Sequence, residues 1–308
     1  MSRMSQISTE SRSLTNFHAF VALIPAQLLF GSLPVIGKIV LAVLPPVALV
    51  GIRTSITAAI LIGIQAFRGR FWLKEKGDYW RFAVLSLFGI VVNQLFFIGG
   101  LSLTTASNTS LLAVMIPVFA LTVGAIAGFE RLTLPKIAGI IFAGIGVIIL
   151  IDPRKASFSS QTTLGDICII INCLAYGIYV ATSKQAIMRN GIFRSMMWVF
   201  IFASLVCIPL GAYSLSTVDL ATVPSSIWLI SIYIAIGATA APYLLNAWAL
   251  SKVNPSTVAV FVYLQPLIGF TLAVLFLGES VTSIFVIAAA LIFAGVFLVT
   301  KKFVPSET

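Results

Sequence analysis

Ten stretches of about 20 mostly apolar residues, parted by short polar breaks, decide most of what this chain can become. They run over 19–40, 46–67, 80–101, 107–128, 134–151, 164–185, 192–213, 226–250, 256–277 and 281–300. About 20 such residues are what a helix needs to cross the hydrocarbon of a bilayer. Lipid offers the backbone no hydrogen-bond partner, so each segment must satisfy its own amides, which a helix does. The runs are continuous rather than alternating in polarity, which excludes a β-barrel. Charge agrees: only 9% of the 308 residues are charged and 59% are hydrophobic, against about 25% charged in a soluble domain. The expected class is an all-α integral membrane protein with ten transmembrane helices, its partner the lipid bilayer.

The net charge of +10 does not point to nucleic acid, because the cations sit in short clusters between the apolar runs. That is the pattern of loops facing an anionic cytoplasmic leaflet. If the N-terminus is cytoplasmic, fifteen of the nineteen lysines and arginines fall on the inside, among them Arg68, Arg70, Lys74, Lys76 and Arg81. Lys38, Arg154 and Lys155 fall outside, and Arg53 lies within the membrane. Both termini are therefore expected in the cytoplasm. The polar, Ser/Thr-rich N-terminus reads as a tail before a first transmembrane helix, since the run behind it is too long for a secretory signal. Short loops and no transit peptide point to a prokaryotic plasma (inner) membrane. Cys168, Cys173 and Cys207 lie inside apolar runs and His18 has no ligand cluster around it. No metal and no cofactor are expected.

The chain also repeats itself around a polar break at Asp152–Gln161. Gly31 and Lys38 pair with Gly177 and Lys184. At one offset of 149, Ser102, Pro117, Glu130, Thr133, Gly146 and Val147 match Ser251, Pro266, Glu279, Thr282, Gly295 and Val296. Five helices is an odd number, so the second copy enters the membrane with opposite topology. Such inverted repeats are typical of secondary transporters.

These residues carry a resemblance. An aromatic-Gly followed by a lysine on the first helix, Arg53 on the second, a mid-helix proline on the fourth, Glu-x-x-Thr opening the fifth and Gly-Val closing it resemble the drug/metabolite transporter superfamily. Within it the chain is similar to the ten-helix EamA-like exporters, over essentially all of 18–300. Phe30 and Tyr176 stand where the family usually has Trp, and Val199 stands near the place corresponding to Arg53. The resemblance implies one repeat at 18–151 and an inverted one at 164–300, and efflux of metabolites or amino acids.

Candidate site residues follow from helical spacing. Asn172, Tyr176, Tyr179 and Ser183 share one face, as do Thr239, Tyr243 and Asn246, and Ser86, Gly89, Asn93 and Phe97; Gln27, Gly31 and Pro34 are added from the first helix. Amides are costly in hydrocarbon, so these stripes should face inward, either as glue between helices or as a cavity wall of aromatics and amides suited to neutral or zwitterionic amphipathic solutes. Pro117 and Pro266 each free a carbonyl four residues back, at Ala113 and Val262. Matched helix breaks of this kind point to a transporter's central site. Arg53, buried in the membrane, either snorkels, pairs with Glu279 or Asp152, or anchors a substrate carboxylate or phosphate. The expected substrate-binding set is Gln27, Arg53, Asn93, Pro117, Asn172, Tyr176, Tyr179, Tyr243, Asn246, Tyr263 and Gln265. Gly124 and Gly128 form a small-residue pair suited to close helix packing, with dimerisation left open, and Glu130 and Glu279 read as caps at the N-terminal ends of the fifth and tenth helices.

The expected function is a secondary transporter of small organic metabolites by alternating access, an exporter or a facilitator, amino acids among the candidates. A membrane-embedded transferase lacks its catalytic constellation here, and a passive channel lacks a charged ring or filter loop. No glycine-rich phosphate loop is present for ATP hydrolysis. No carboxylate stands at a helix centre, so proton coupling is not expected.

Overall fold

The apolar runs fold as helices whose ends are set by residues of known stopping and starting habit. The structure is a computed structural model that describes residues 2–128, 133–151, 161–253, 258, 261–262, 264–280 and 282–300. Among these the main helices are α1 (Ser2–Leu41), α2 (Pro46–Arg68), α3 (Lys76–Leu103), α4 (Ala106–Ile126), α5 (Leu134–Ile151), α6 (Gln161–Asn190), α7 (Ile192–Ser216), α8 (Ser225–Lys252), α9 (Leu264–Leu277) and α10 (Ser283–Thr300). Pro46 opens α2, where a missing N–H costs nothing. Gly69 closes it with φ 68°, donating to Gln65 and Ala66 carbonyls. Thr105 caps α4, its hydroxyl accepting from Asn108 N at 3.0 Å.

Among the described residues seven helices are long and apolar enough to cross a membrane: Val21–Leu41 of α1, and α2, α3, α4, α6, α7 and α8. The remaining three are apolar but shorter within the described residues. At 18 residues each, α5 and α10 rise about 27 Å, just under a hydrocarbon core of about 30 Å. The bundle's outside is apolar, with Leu205, Leu229, Leu275 and Phe276 each more than half exposed, as a surface wetted by lipid must be. The helical backbone of α1 reaches back to Ser2, and its apolar spanning part, Val21–Leu41, lies where the run at 19–40 was expected. One sequence expectation is corrected. Gly128 is not a packing residue: it ends α4 at φ 75° with open space around it.

The two halves pack in matching ways. α2 lies against α7 and α5 against α10; α6 sits against α3 and α4, as α1 does against α8 and α9. The glycines paired in the sequence make equivalent contacts. A Cβ on Gly146 would meet the Ala288 carbonyl and Ile292, while one on Gly295 would meet the Gly139 carbonyl and Ala143 N. Residues 139 and 143 stand at the offset of 149 from 288 and 292, so the α5–α10 contact is its own mirror under exchange of halves. Gly31 against Ile268 and Gly177 against Phe119 obey the same rule. Gly295→Leu should therefore push two backbones apart at a cost of about 1–3 kcal/mol. The melting temperature of the purified protein should fall, whereas Gly144→Ala, with nothing within 4 Å, should leave it unchanged.

Two further irregularities recur at the offset of 149. α3 contains a π-helical turn at Leu87–Val92 and α8 one at Ile236–Ala240. Such turns widen the helix, disturb its regular carbonyl bonding and gather at functional sites. The prolines behave alike as well. Ile116 N donates to the Ala113 carbonyl, and Gln265 N to the Val262 carbonyl at 2.9 Å. The two carbonyls that Pro117 and Pro266 deprive of their usual donor are thus re-bonded by a tighter turn, and the breaks become kinks.

Candidate functional site

Where the two halves meet, seven helices enclose a cavity of about 480 Å³ including its mouth. From α1 come Phe30 and Leu33, from α2 Arg53, from α3 Asn93, Gln94 and Phe97, and from α4 Ala113 and Ile116. The second half supplies Asn172 and Tyr176 from α6, Tyr243 from α8 and Gln265 from α9. One wall is aromatic: Tyr243 meets Phe30 edge-on at 5.5 Å and Tyr176 at 6.1 Å. Among the described residues the other polar groups are amides and a single guanidinium.

The π-turns hold the polar part in place. Tyr243 Oη lies 2.9 Å from both the Gly89 carbonyl in the π-turn of α3 and Asn93 Oδ1, to which it donates. Arg53 Nε donates to Thr239 Oγ1 at 2.9 Å, and its Nη2 reaches the Ala238 carbonyl at 3.4 Å, both in the π-turn of α8. Each half thus uses an irregular turn to present acceptors to a central polar side chain, satisfying groups that hydrocarbon would leave bare. Arg53 is 2% exposed, so it does not snorkel. It is not paired with Glu279 either, whose carboxylate accepts from Ala106 N at 2.8 Å and Ser107 N at 2.9 Å. Glu279 caps α4 in the other half rather than its own α10, because the N-terminus of α4 is the nearer set of unsatisfied N–H groups. Asp152 lies outside the described residues, as do Glu130 and Tyr263.

Of the other residues expected from the sequence, Asn93, Asn172, Tyr176, Tyr243 and Gln265 line the cavity together with Arg53. Gln27 and Asn246 lie directly behind the wall in a buried chain of amides. Gln265 Nε2 donates to Gln27 Oε1 at 2.5 Å, Gln27 Nε2 to Asn246 Oδ1 at 3.2 Å, and Asn246 Nδ2 to Tyr176 Oη at 3.2 Å. This chain ties α9, α1, α8 and α6 to one another. Tyr179 stands back from the cavity, stacked on Tyr176 at 5.7 Å, its hydroxyl turned to Met196 Sδ at 3.6 Å. Pro117 is buried in α4 beside the lining residue Ile116. Gln94 was absent from the expected set, although the repeat places it at the position of Tyr243, and its Oε1 has no hydrogen-bond partner among the described residues.

Two buried carboxylates lie away from the cavity. Asp166, 2% exposed, accepts from Thr104 Oγ1 at 2.5 Å and from Asn108 Nδ2 at 3.1 Å. Asp78, fully buried, accepts from Arg189 and, at 2.7 Å, from Asn190 Nδ2. Arg189 also holds Glu75 at 2.7 Å, and Trp198 Nε1 donates to the Phe71 carbonyl at 2.8 Å. These contacts clasp the α2–α3 turn to the α6–α7 turn. Helix-end carboxylates were expected; their burial was not.

The comparisons with known proteins agree with this architecture. The model of the EamA-like transporter family matches twice, at residues 18–152 and 163–301. An uncharacterised transporter of Archaeoglobus fulgidus is 26% identical over 86% of this chain and 91% of its own. The uncharacterised transporter YoaV of Bacillus subtilis is 18% identical over 92% and 97%, and a WAT1-related protein of Arabidopsis thaliana is 26% identical over 64% and 60%. A solved crystal structure shares the fold with a TM-score of 0.63 at 20% identity, covering 91% of this chain and 96% of that one. With the family model matched twice across both halves, the chain belongs to the EamA-like transporter family.

Proposed function

We propose that this membrane transporter carries small amphipathic organic metabolites, amino acids among the candidates, by alternately exposing the central cavity to the two sides. It works as an exporter or facilitator in a prokaryotic plasma membrane. The observation that carries the reading is that both halves supply the cavity, its polar groups anchored on π-turns at matching places. Rocking one repeat against the other would change which end is open while the wall persists. In this reading all ten helices span, in two five-helix repeats of opposite topology, with both termini in the cytoplasm. The binding residues are Arg53, Asn93, Asn172, Tyr176, Tyr243 and Gln265, supported from behind by Gln27 and Asn246.

Flux in proteoliposomes tests the reading. It should saturate with solute concentration and accelerate when the same solute is loaded on the far side, as a carrier's flux does; linear flux without counterflow would make the cavity a pore. Topology has its own test. A cysteine at position 156 should be labelled from outside and one at position 308 from inside, and the reverse pair would contradict it. Coupling to protons is not part of the account, because no carboxylate among the described residues lines the cavity and an arginine does not release its proton near neutral pH. An imposed pH gradient without a solute gradient should therefore give no uphill accumulation. Accumulation abolished by Glu279→Gln would show that the α4 cap titrates during transport.

A further inference from the structure

We infer that the cavity is built for a net monoanion, an organic carboxylate with an aromatic or bulky apolar body and no compensating ammonium group. The inference rests on the carrier reading above and narrows it to a substrate class. Among the described residues Arg53 is the wall's sole cation, 2% exposed, and its two acceptors, Thr239 Oγ1 and the Ala238 carbonyl, are neutral. A guanidinium carries five N–H donors in a flat fork. Two hydrogen bonds engage Nε and Nη2, and Arg53 lines the cavity within a low-dielectric bundle. A buried cation without a counter-charge is unfavourable, and a carboxylate laid against the fork supplies that charge in the geometry the fork fits best.

The rest of the wall suits such a solute better than one of the opposite sign. Phe30, Phe97, Tyr176 and Tyr243 form an apolar bed for a ring or branched chain. An ammonium group would meet only neutral acceptors, such as Gln94 Oε1, and ring faces; among the described residues no carboxylate lines the cavity to neutralise it. The nearest acid on a lining helix, Asp166, stands six residues before Asn172, about 9 Å along the axis at 1.5 Å per residue. Its oxygens already accept from Thr104 and Asn108. Glu279 caps α4, and Asp78 holds Arg189. A zwitterion therefore gains at one end and loses at the other, and an organic cation meets Arg53 directly. Moving one negative charge per cycle also makes transport electrogenic: an interior-negative potential of about 100 mV would sustain an outward gradient of about fifty-fold without any coupling ion.

Three probes with one aromatic body and different charge test this: 3-phenylpropionate, phenylalanine and phenethylamine. Binding to the purified full-length chain is read by calorimetry. Phenylpropionate should bind at least about tenfold more tightly than phenylalanine, whose ammonium group is desolvated without a charged partner, and phenethylamine more weakly than either. Arg53→Gln should erase the preference and Arg53→Lys should retain part of it. In proteoliposomes, a potassium diffusion potential positive inside should drive phenylpropionate inward, and reversing the potential should reverse the flux. Equal or tighter binding of phenylalanine, an unchanged ranking in Arg53→Gln, or no binding of any probe overturns the anion class, and the first of these needs no variant to fold. Saturable counterflow of phenylalanine without phenylpropionate binding would leave the carrier standing and remove the anion. Phenylpropionate binding without saturable flux of any probe would do the opposite.

Discussion

Asn246→Ala should lower transport at least about tenfold while the protein still reaches the membrane in normal amount. Asn246 does not line the cavity; it accepts from Gln27 and donates to Tyr176, so its loss leaves a buried amide and a buried hydroxyl short of partners. That costs about 1–3 kcal/mol, tolerable for a bundle with this much buried apolar surface. The effect on function is larger because Tyr176 loses the bond that fixes its hydroxyl, and a wall group displaced by about 1 Å can cost up to a hundredfold in a positioned reaction. Tyr176→Ala should be at least as severe, since it removes part of the wall and the ring on which Tyr179 stacks. Initial flux in proteoliposomes, normalised to reconstituted protein, checks both. Unchanged flux in the two variants would mean that the polar stripes only hold helices together.

The largest stability effect is expected from Asp78→Ala. Its fully buried carboxylate accepts from Arg189 and Asn190, joining the N-terminal turn of α3 to the end of α6. Removing one partner of a buried pair costs about 3–5 kcal/mol. Arg189 is 28% exposed and keeps Glu75, so water offsets part of the loss and about 2–4 kcal/mol remains. Arg81→Ala should do little by comparison, because Arg81 is 58% exposed and 3.9 Å from Asp78, the range in which ion pairs contribute about 0–1 kcal/mol. Melting temperatures of the purified variants separate the two. Under the proposed topology this clasp lies at the cytoplasmic end of the bundle.

Hydropathy made most of the fold legible, because a long apolar run in lipid has one regular way to satisfy its backbone. The internal repeat foretold more than the number of helices: Gly146 with Gly295, at an offset of 149, and Gly31 with Gly177, at 146, make contacts that correspond under exchange of halves. Six cavity residues were legible for a related reason. An amide or tyrosine in hydrocarbon must face inward, and helical spacing says which ones share a face. The π-turns were not legible, since nothing in Leu87–Val92 or Ile236–Ala240 distinguishes those segments from ordinary helix; they arise from how neighbouring helices pack and bond. For the same reason the neighbours of Arg53 were not legible. Of the partners offered for it, Glu279 is engaged elsewhere and Asp152 lies outside the described residues; the acceptors seen are a hydroxyl and a backbone carbonyl that the irregular turn of α8 presents. Glu279 went instead to α4, a contact between halves that no local pattern encodes. Tyr179 shared the stripe of Tyr176 yet stands behind it, its ring over Gly89, because a helical face is wider than a cavity wall.

The central claim is that one cavity is reached from both sides of the membrane in turn, and Asn93 on its wall is the place to measure it. A single cysteine at this position, in a chain whose three native cysteines are replaced, is exposed to a membrane-impermeant thiol reagent in right-side-out and in inside-out vesicles. The account predicts labelling from both sides, slowed in both preparations by a bound solute. Labelling from one side alone, or from neither, would contradict it.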